Sequence, residues 1–203
     1  MIYEQYLQCG FLNSNYSIVY IYLQMINLIS RSNPEEIIVP PVNFSMVAQG
    51  VYRGAYPNYS NFSFLKNLGL KTLLFLCEED YPPTNLEFLK ENGITLITVQ
   101  MEGNKAPFKT IPNEQMVEAL RHLTDVRNHP IFVHCNKGTH RTGTVVGCLR
   151  KLQNWSLTSI FDEYRCFAGT KARQIDERYI ELFELPKDEF DTENFPSWLK
   201  NLE

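Results

Sequence analysis

A short loop between a predicted strand and a predicted helix constrains this chain more than any other feature. Residues 130–133 read Pro-Ile-Phe-Val, which predicts a buried strand, and a helical pattern begins at Thr142. The loop over 134–141 reads His-Cys-Asn-Lys-Gly-Thr-His-Arg and separates Cys135 from Arg141 by five residues. In a tight loop of this kind, followed by a helix, the backbone N–H groups can all point inward and form a concave anion site.

The side chains of this loop suit cysteine-based phosphoryl chemistry. Inward N–H dipoles, a helix N-terminus and Arg141 all favour negative charge, so we expect Cys135 to react as a thiolate. Arg141 can bind two phosphoryl oxygens at once, and the loop donors are in place for the charge of the transition state. Thr142 can offer its hydroxyl to the departing sulfur. The alternative, a core cysteine beside a surface arginine, is disfavoured because a core cysteine needs none of these neighbours.

The rest of the chain alternates between strand and helix signals. Predicted strands cover 44–47, 51–53, 72–77, 94–99 and 130–133. Predicted helices cover 61–68, 84–92, 113–126, the residues from 142 onward, 156–168 and 175–183. This alternation predicts an α/β domain with a central, mostly parallel sheet of four to five strands flanked by helices. Ligands bind such sheets at the carboxyl ends of strands, which is where Cys135 lies.

One domain with extensions at both ends fits the length of 203 residues. The domain is expected over 37–187, with an N-terminal extension over 1–36, docked or poorly ordered, and a C-terminal tail over 188–203. The apolar stretch 16–29 is too short for a confident membrane span and lacks the flanks of a signal peptide. We therefore predict no stable membrane insertion.

Charge and cysteine content narrow the function classes. The net charge of −4 disfavours nucleic-acid binding through a basic surface. An anionic substrate would need a local basic pocket, for which the sequence offers Lys137, His140, Arg141, Arg150 and Lys151. The five cysteines include no CxxC pair, which argues against a zinc cluster and favours a reducing, cytoplasmic compartment. No metal or organic cofactor is implied, because the loop supplies the charge that a metal supplies elsewhere.

The loop also carries a family resemblance. HCNKGTHRTG resembles the signature of the protein tyrosine phosphatase superfamily. Further segments are similar to the plant and fungal atypical dual-specificity phosphatases, namely GVYRGAYP, LCEEDYP, MEGNKAPF, CLRKLQNWSLTSIFDEYR and FAGTKAR. The similarity covers about Phe44 to Phe183. It implies a dual-specificity-phosphatase-like domain, a phosphocysteine intermediate, and hydrolysis of the 5-position diphosphate of inositol pyrophosphates.

The same resemblance implies roles by position. Cys135 would be the nucleophile, Arg141 the transition-state clamp, and His134 the residue that tunes the thiolate. The residues implied to bind substrate or phosphate are Asn136, Lys137, Gly138, Thr139, His140, Asn104, Lys105, Lys171 and Arg173. Close relatives often carry Lys where this chain has Thr139, which removes one positive charge beside the pocket.

Three questions stay open at the level of sequence. Glu102 is the only carboxylate of the predicted loop 101–112 and is either a general acid or a solvated loop residue. The substrate is either an inositol pyrophosphate or a phosphoprotein, because a shallow basic pocket suits the first and a deep narrow one suits phosphotyrosine. A third hypothesis for the function is a phosphate-binding adaptor with little turnover. The intact Cys135, Arg141 and Thr142 argue against it. Cys77 and Cys148 are candidates for trapping an oxidised Cys135 as a disulfide.

Overall fold

A five-stranded sheet organises the described part of the chain. The computed structural model describes residues 38–104, 109–184 and 189–200. The strands are β1 (Ser45–Ala48), β2 (Val51–Ala55), β3 (Thr72–Phe75), β4 (Thr95–Thr98) and β5 (Ile131–Cys135). Their order is β1-β2-β5-β3-β4; β1 pairs antiparallel with β2, and every other neighbouring pair is parallel. The predicted mostly parallel α/β sheet is thereby confirmed.

Six α-helices of the described residues match the predicted ones, and the last lies in the segment predicted to be a tail. They are α1 (Phe62–Asn67), α2 (Pro83–Glu91), α3 (Asn113–Thr124), α4 (His140–Leu152), α5 (Leu157–Ala168), α6 (Gln174–Leu182) and α7 (Ser197–Lys200). Ser156 caps α5, since its hydroxyl accepts a hydrogen bond from the Ser159 amide at 3.2 Å. No helix in the described ranges has the length and apolarity required to cross a bilayer.

The central position of β5 fixes the end of the strand that carries Cys135. Ile131, Phe132 and Val133 are fully buried, because β5 lies between β2 and β3 and both of its faces are covered. Strands covered on both faces consist of consecutive apolar residues, so the sequence of β5 clearly predicts a buried strand. Helix α4 leaves the same end and packs against α3, α5, α6 and β5.

Two basic residues predicted for the substrate pocket hold helices together instead. Arg150 is buried and pairs with Glu163 of α5, with 2.7 Å between Nε and Oε2. Burial opposes the ionisation of Glu163, but the charge and hydrogen bonds of Arg150 outweigh it and hold the pKa of Glu163 below its ordinary value. Lys151 donates from Nζ to the carbonyls of Ile180, Glu181 and Phe183, at the C-terminal end of α6. Neither side chain is among the described residues that line the pocket at Cys135.

The C-terminal segment is not the tail that the sequence predicts over 188–203. Phe190 belongs to the core, and Phe195 and Trp198 pack against it. The Trp198 indole donates to the Gln49 carbonyl at 3.0 Å, which fastens α7 beside the β1–β2 turn. The described residues 189–200 are therefore part of the domain, because their aromatic side chains cover apolar surface. The predicted N-terminal extension lies outside the described residues.

Candidate active site

The predicted loop forms one wall of a pocket at the carboxyl end of β5. Cys135 is the last residue of β5 and is 4% exposed, and α4 begins at His140. The pocket has a volume of about 480 Å³. The described residues that line it are Cys135, Asn136, Lys137, Thr139, His140, Arg141, Lys171 and Arg173. The structure thus brings eight of the predicted site residues together, six from the loop and its helix and two from the turn after α5.

Gly138 lets the loop lie directly on the backbone of β2. Its φ is +66°, in the left-handed region. A Cβ atom at this position would lie 2.5 Å from the carbonyl carbon and oxygen of Gly54 and 2.8 Å from the Ala55 nitrogen. Any side chain at residue 138 would therefore push the loop off the strand.

The start of α4 adds favourable electrostatics to the pocket. Helix α4 has 13 residues, and its first turn follows the loop directly, so its unpaired N–H groups lie beside the anion site. The Thr142 hydroxyl is buried and has no hydrogen-bond partner among the described residues. Its role as a donor to the Cys135 sulfur stays a prediction.

The segment 101–104 packs against the stem of Arg141. The Met101 carbonyl accepts a hydrogen bond from Arg141 Nη1 at 2.9 Å. A Cβ at Gly103 would lie 3.2 Å from Arg141 Cγ, so this segment approaches closely through its backbone. These contacts restrict the guanidinium, whose other donors make no hydrogen bond within the described residues and can bind a ligand.

His134 is a neutral, fully buried ring behind the nucleophile. Burial lowers its pKa to about 3. A neutral imidazole has one N–H. Nδ1 lies 3.2 Å from the Cys135 carbonyl oxygen, so that nitrogen carries the proton and donates. Nε2 then accepts from the Tyr81 hydroxyl at 3.1 Å. The ring thereby fixes the Cys135 carbonyl and is itself hydrogen-bonded to Tyr81. The sequence did not indicate the contact with Tyr81.

Asn104 lies outside the pocket in which it was predicted, and Glu102 lies at the surface, as one of its two predicted roles implies. Asn104 is 2% exposed; its Nδ2 donates to Asp176 Oδ1 at 2.8 Å and its Oδ1 accepts from the Ile111 amide at 2.9 Å. Its side chain fixes a loop to α6 and does not line the pocket. Glu102 follows Met101, but its carboxylate pairs with Lys109 at the surface. Lys105 lies outside the described residues.

Asp176 supports the pocket walls, a role that the sequence does not predict. It is 1% exposed, and its carboxylate accepts from Asn104 and, at 2.6 Å, from the Tyr164 hydroxyl. The Tyr164 oxygen in turn accepts from the Arg173 amide at 3.2 Å. One buried carboxylate therefore connects the segment that contacts Arg141 with the turn that carries Lys171 and Arg173. An Asp in the first turn of a helix gives no sequence signal of such a role, because the dipole alone explains it.

Of the two cysteines considered as redox partners, Cys77 lies beside the loop. Its Sγ donates to Asn136 Oδ1 at 3.3 Å. Burial raises the pKa of the Cys77 thiol to about 12, so it stays protonated and acts as a donor. Cys148 is fully buried within α4. A disulfide between Cys135 and either thiol stays a prediction.

A strand, a concave loop with Cys135 and Arg141, and a helix N-terminus together define a cysteine-dependent phosphatase. The sequence profile of the tyrosine phosphatase family matches residues 38–201. The chain belongs to this family.

Known proteins resemble the chain over most of the described domain. "Inositol diphosphatase DSP1" of Oryza sativa subsp. japonica is 53% identical over 151 residues, which cover 74% of this chain and 68% of that protein. "Probable tyrosine-protein phosphatase DG1060" of Dictyostelium discoideum is 45% identical over 161 residues, covering 79% and 96%. The crystal structure of the core catalytic domain of PP-IP phosphatase SIW14 from S. cerevisiae superposes with a TM-score of 0.71 at 48% identity, covering 75% of this chain and 91% of that one.

The buried neutral His134 predicts a specific pH dependence of stability. The folded state keeps the ring unprotonated down to a pH of about 3, whereas the ordinary pKa is 6.5. Between these values the unfolded chain binds more protons, so the free energy of unfolding falls as the pH drops, by about 1.4 kcal/mol per pH unit from this group. We expect His134→Gln to have a shallower slope by about that amount between pH 6 and pH 4, measured by urea unfolding.

The control for this prediction is Phe75→Leu, which alters a ring packed on His134 and removes no titrating group. This variant is expected to lose stability at every pH and to keep the wild-type slope. Equal slopes for wild type and His134→Gln would mean that the buried ring is protonated in the folded state.

Proposed function

We propose that this phosphatase hydrolyses inositol pyrophosphates, removing the outer phosphate of the diphosphate at the ring 5-position. The main support for the proposal is that the loop, Lys171 and Arg173 line the same pocket. Basic side chains beyond the phosphate loop suit a ring that bears several phosphates, each of which adds negative charge. Relatives at about half sequence identity named inositol diphosphatases support the same substrate class.

The proposed reaction has two steps. The Cys135 thiolate attacks the terminal phosphorus, the bond from that phosphorus to the bridging oxygen breaks, and the inositol phosphate leaves. Water then attacks the phosphocysteine, the P–S bond breaks, and inorganic phosphate leaves with the thiolate regenerated. In both steps the inward N–H groups and Arg141 bind the three non-bridging oxygens. In the second step Thr142 donates a hydrogen bond to the sulfur as the P–S bond breaks.

The position of Glu102 fits a diphosphate better than a tyrosine phosphate. Its carboxylate pairs with Lys109 at the surface, although its neighbours Met101 and Gly103 contact Arg141. A phosphate leaving group needs little protonation, whereas a tyrosine oxygen has an ordinary pKa of about 10 and gains more from a general acid. We therefore propose that the preferred reaction does not depend on Glu102.

A cytoplasmic site of action is part of the proposal, since a reactive thiolate requires a reducing compartment.

A protein tyrosine phosphatase is the second candidate. The Dictyostelium relative that carries a tyrosine-protein phosphatase name favours it. Both candidates use the same loop and the same intermediate, so only the preference between substrates separates them.

The test is a direct comparison of two substrates. Phosphate release is measured from 5-diphosphoinositol pentakisphosphate and from a phosphotyrosine peptide, with Cys135→Ser as the inactive control. We expect a much larger kcat/KM on the inositol compound, because its additional phosphates contact Lys171 and Arg173, the basic rim of the pocket. A preference for the peptide would contradict the proposal and assign the chain to the protein phosphatases.

The rim residues predict a substrate-dependent loss of activity. Lys171→Met and Arg173→Met are each expected to lower kcat/KM on the inositol pyrophosphate about tenfold, the equivalent of one charge-assisted hydrogen bond. Activity on p-nitrophenyl phosphate should stay within about twofold, because this small substrate fills only the loop. Steady-state kinetics on both substrates check the prediction.

Lys90→Met is the matched control for the rim variants, since Lys90 is an exposed lysine in the last turn of α2. It is expected to leave both substrates unaffected. Losses of equal size on the two substrates for the rim variants would show that Lys171 and Arg173 support the loop and do not select the substrate.

A further inference from the structure

Three successive carbonyls on the back of the loop are hydrogen-bonded by donors from one hairpin. The Asn136 carbonyl accepts from the Tyr56 amide at 3.3 Å. The Lys137 carbonyl accepts from Asn43 Nδ2 at 2.8 Å, and the Gly138 carbonyl accepts from Arg53 Nη2 at 2.8 Å. All three donors belong to residues 43–56, which include β1 and β2.

These contacts determine which way the loop amides point. In a planar trans peptide, the carbonyl of one residue and the N–H of the next point in opposite directions. Carbonyls held at the back by the hairpin therefore turn the amides of Lys137, Gly138 and Thr139 to the opposite side. Lys137 and Thr139 line the pocket, so that side is where a phosphoryl group would sit.

Arg53 is the most constrained of the three donors. It is 1% exposed, although burying a charged side chain is costly. Its guanidinium lies 3.8 Å from the ring centroid of Phe167, and its backbone pairs in register with Val133 of β5. The strand that leads to the nucleophile thus also sets the position of the arginine that holds the loop.

Asn43 is the more accessible donor. Its φ is 56°, a left-handed conformation that Asn tolerates better than most residues do. A Gly at this position removes the amide side chain without backbone strain.

We propose that Arg53 and Asn43 are positioning residues of the phosphate loop, which they hold in its anion-binding conformation by binding the carbonyls of Gly138 and Lys137. The proposal rests on the phosphate-binding role of the loop and not on the identity of the organic substrate. Neither residue contacts the reacting atoms. Each acts through the amide that follows the carbonyl it binds.

The experiment is a titration of ¹⁵N-labelled protein with inorganic phosphate, followed by amide NMR shifts. In the wild type, the amides of residues 137–139 are expected to shift on binding. Arg53→Met should diminish the shift chiefly at Thr139 and weaken phosphate binding about tenfold. Asn43→Gly should diminish it chiefly at Gly138 and weaken binding about threefold, since this donor is less buried. Arg53→Lys, which retains charge and a donor, should recover part of the affinity.

Leu89→Ala is the control for general destabilisation. Leu89 is a buried residue of α2, which packs beside β4 at the far edge of the sheet from β1 and β2. We expect it to lower the melting temperature and leave the phosphate-induced shifts and affinity at wild-type values. If Arg53→Met does not fold, Asn43→Gly decides the question alone.

Wild-type shifts and affinity in the variants that fold would overturn the proposal, as would losses in Leu89→Ala equal to theirs. Phosphate binding is measured without an inositol compound. A protein that fails on the inositol substrate but shows these residue-specific shifts would refute the proposed function and support the positioning role.

Discussion

The contact of the loop at Gly138 with the backbone of Gly54 is the constraint on which the site depends. It requires a residue without a Cβ, because any such atom would lie 2.5 Å from the neighbouring strand. It also requires β2 and β5 to be parallel neighbours in register, since only then does the loop after Cys135 lie over the end of β2. With the loop held there, its carbonyls face the hairpin and its amides face the pocket.

Hydrogen bonds between buried polar groups connect the loop with the segments that form the pocket walls. His134 holds the Cys135 carbonyl and is itself held by Tyr81. Asp176 accepts hydrogen bonds from Asn104 and Tyr164. It thereby joins the segment 101–104, which contacts Arg141, to the turn that carries Lys171 and Arg173. Buried hydrogen bonds of this kind are costly to break singly, because the partner left behind is desolvated and unpaired. The walls are therefore expected to move together with the loop.

The parts of this structure that could be predicted from sequence are those whose signal is local. The apolar run before Cys135, the loop residues and the helical pattern after Thr142 are contiguous, so the sequence predicts the order strand, loop, helix, although β5 extends to Cys135 and α4 begins at His140. Arg53 was not recognised as a supporting residue, because its partner Gly138 lies 85 residues away in the sequence. The family resemblance implies, by position, that Asn104 lines the pocket. It bonds instead to Asp176, 72 residues further along. The C-terminal segment lies outside the family resemblance, which ends near Phe183, so the sequence predicts a tail there although its aromatic side chains pack on the core.

The proposed mechanism requires that Cys135 becomes phosphorylated within this loop. The most direct measurement is acid quenching of the enzyme during turnover of substrate labelled in its terminal phosphate, followed by mass spectrometry of the peptides. We expect a single phosphoryl group on the peptide that contains Cys135, and none in Cys135→Ser. A label on another residue, or full turnover by Cys135→Ser, would contradict it.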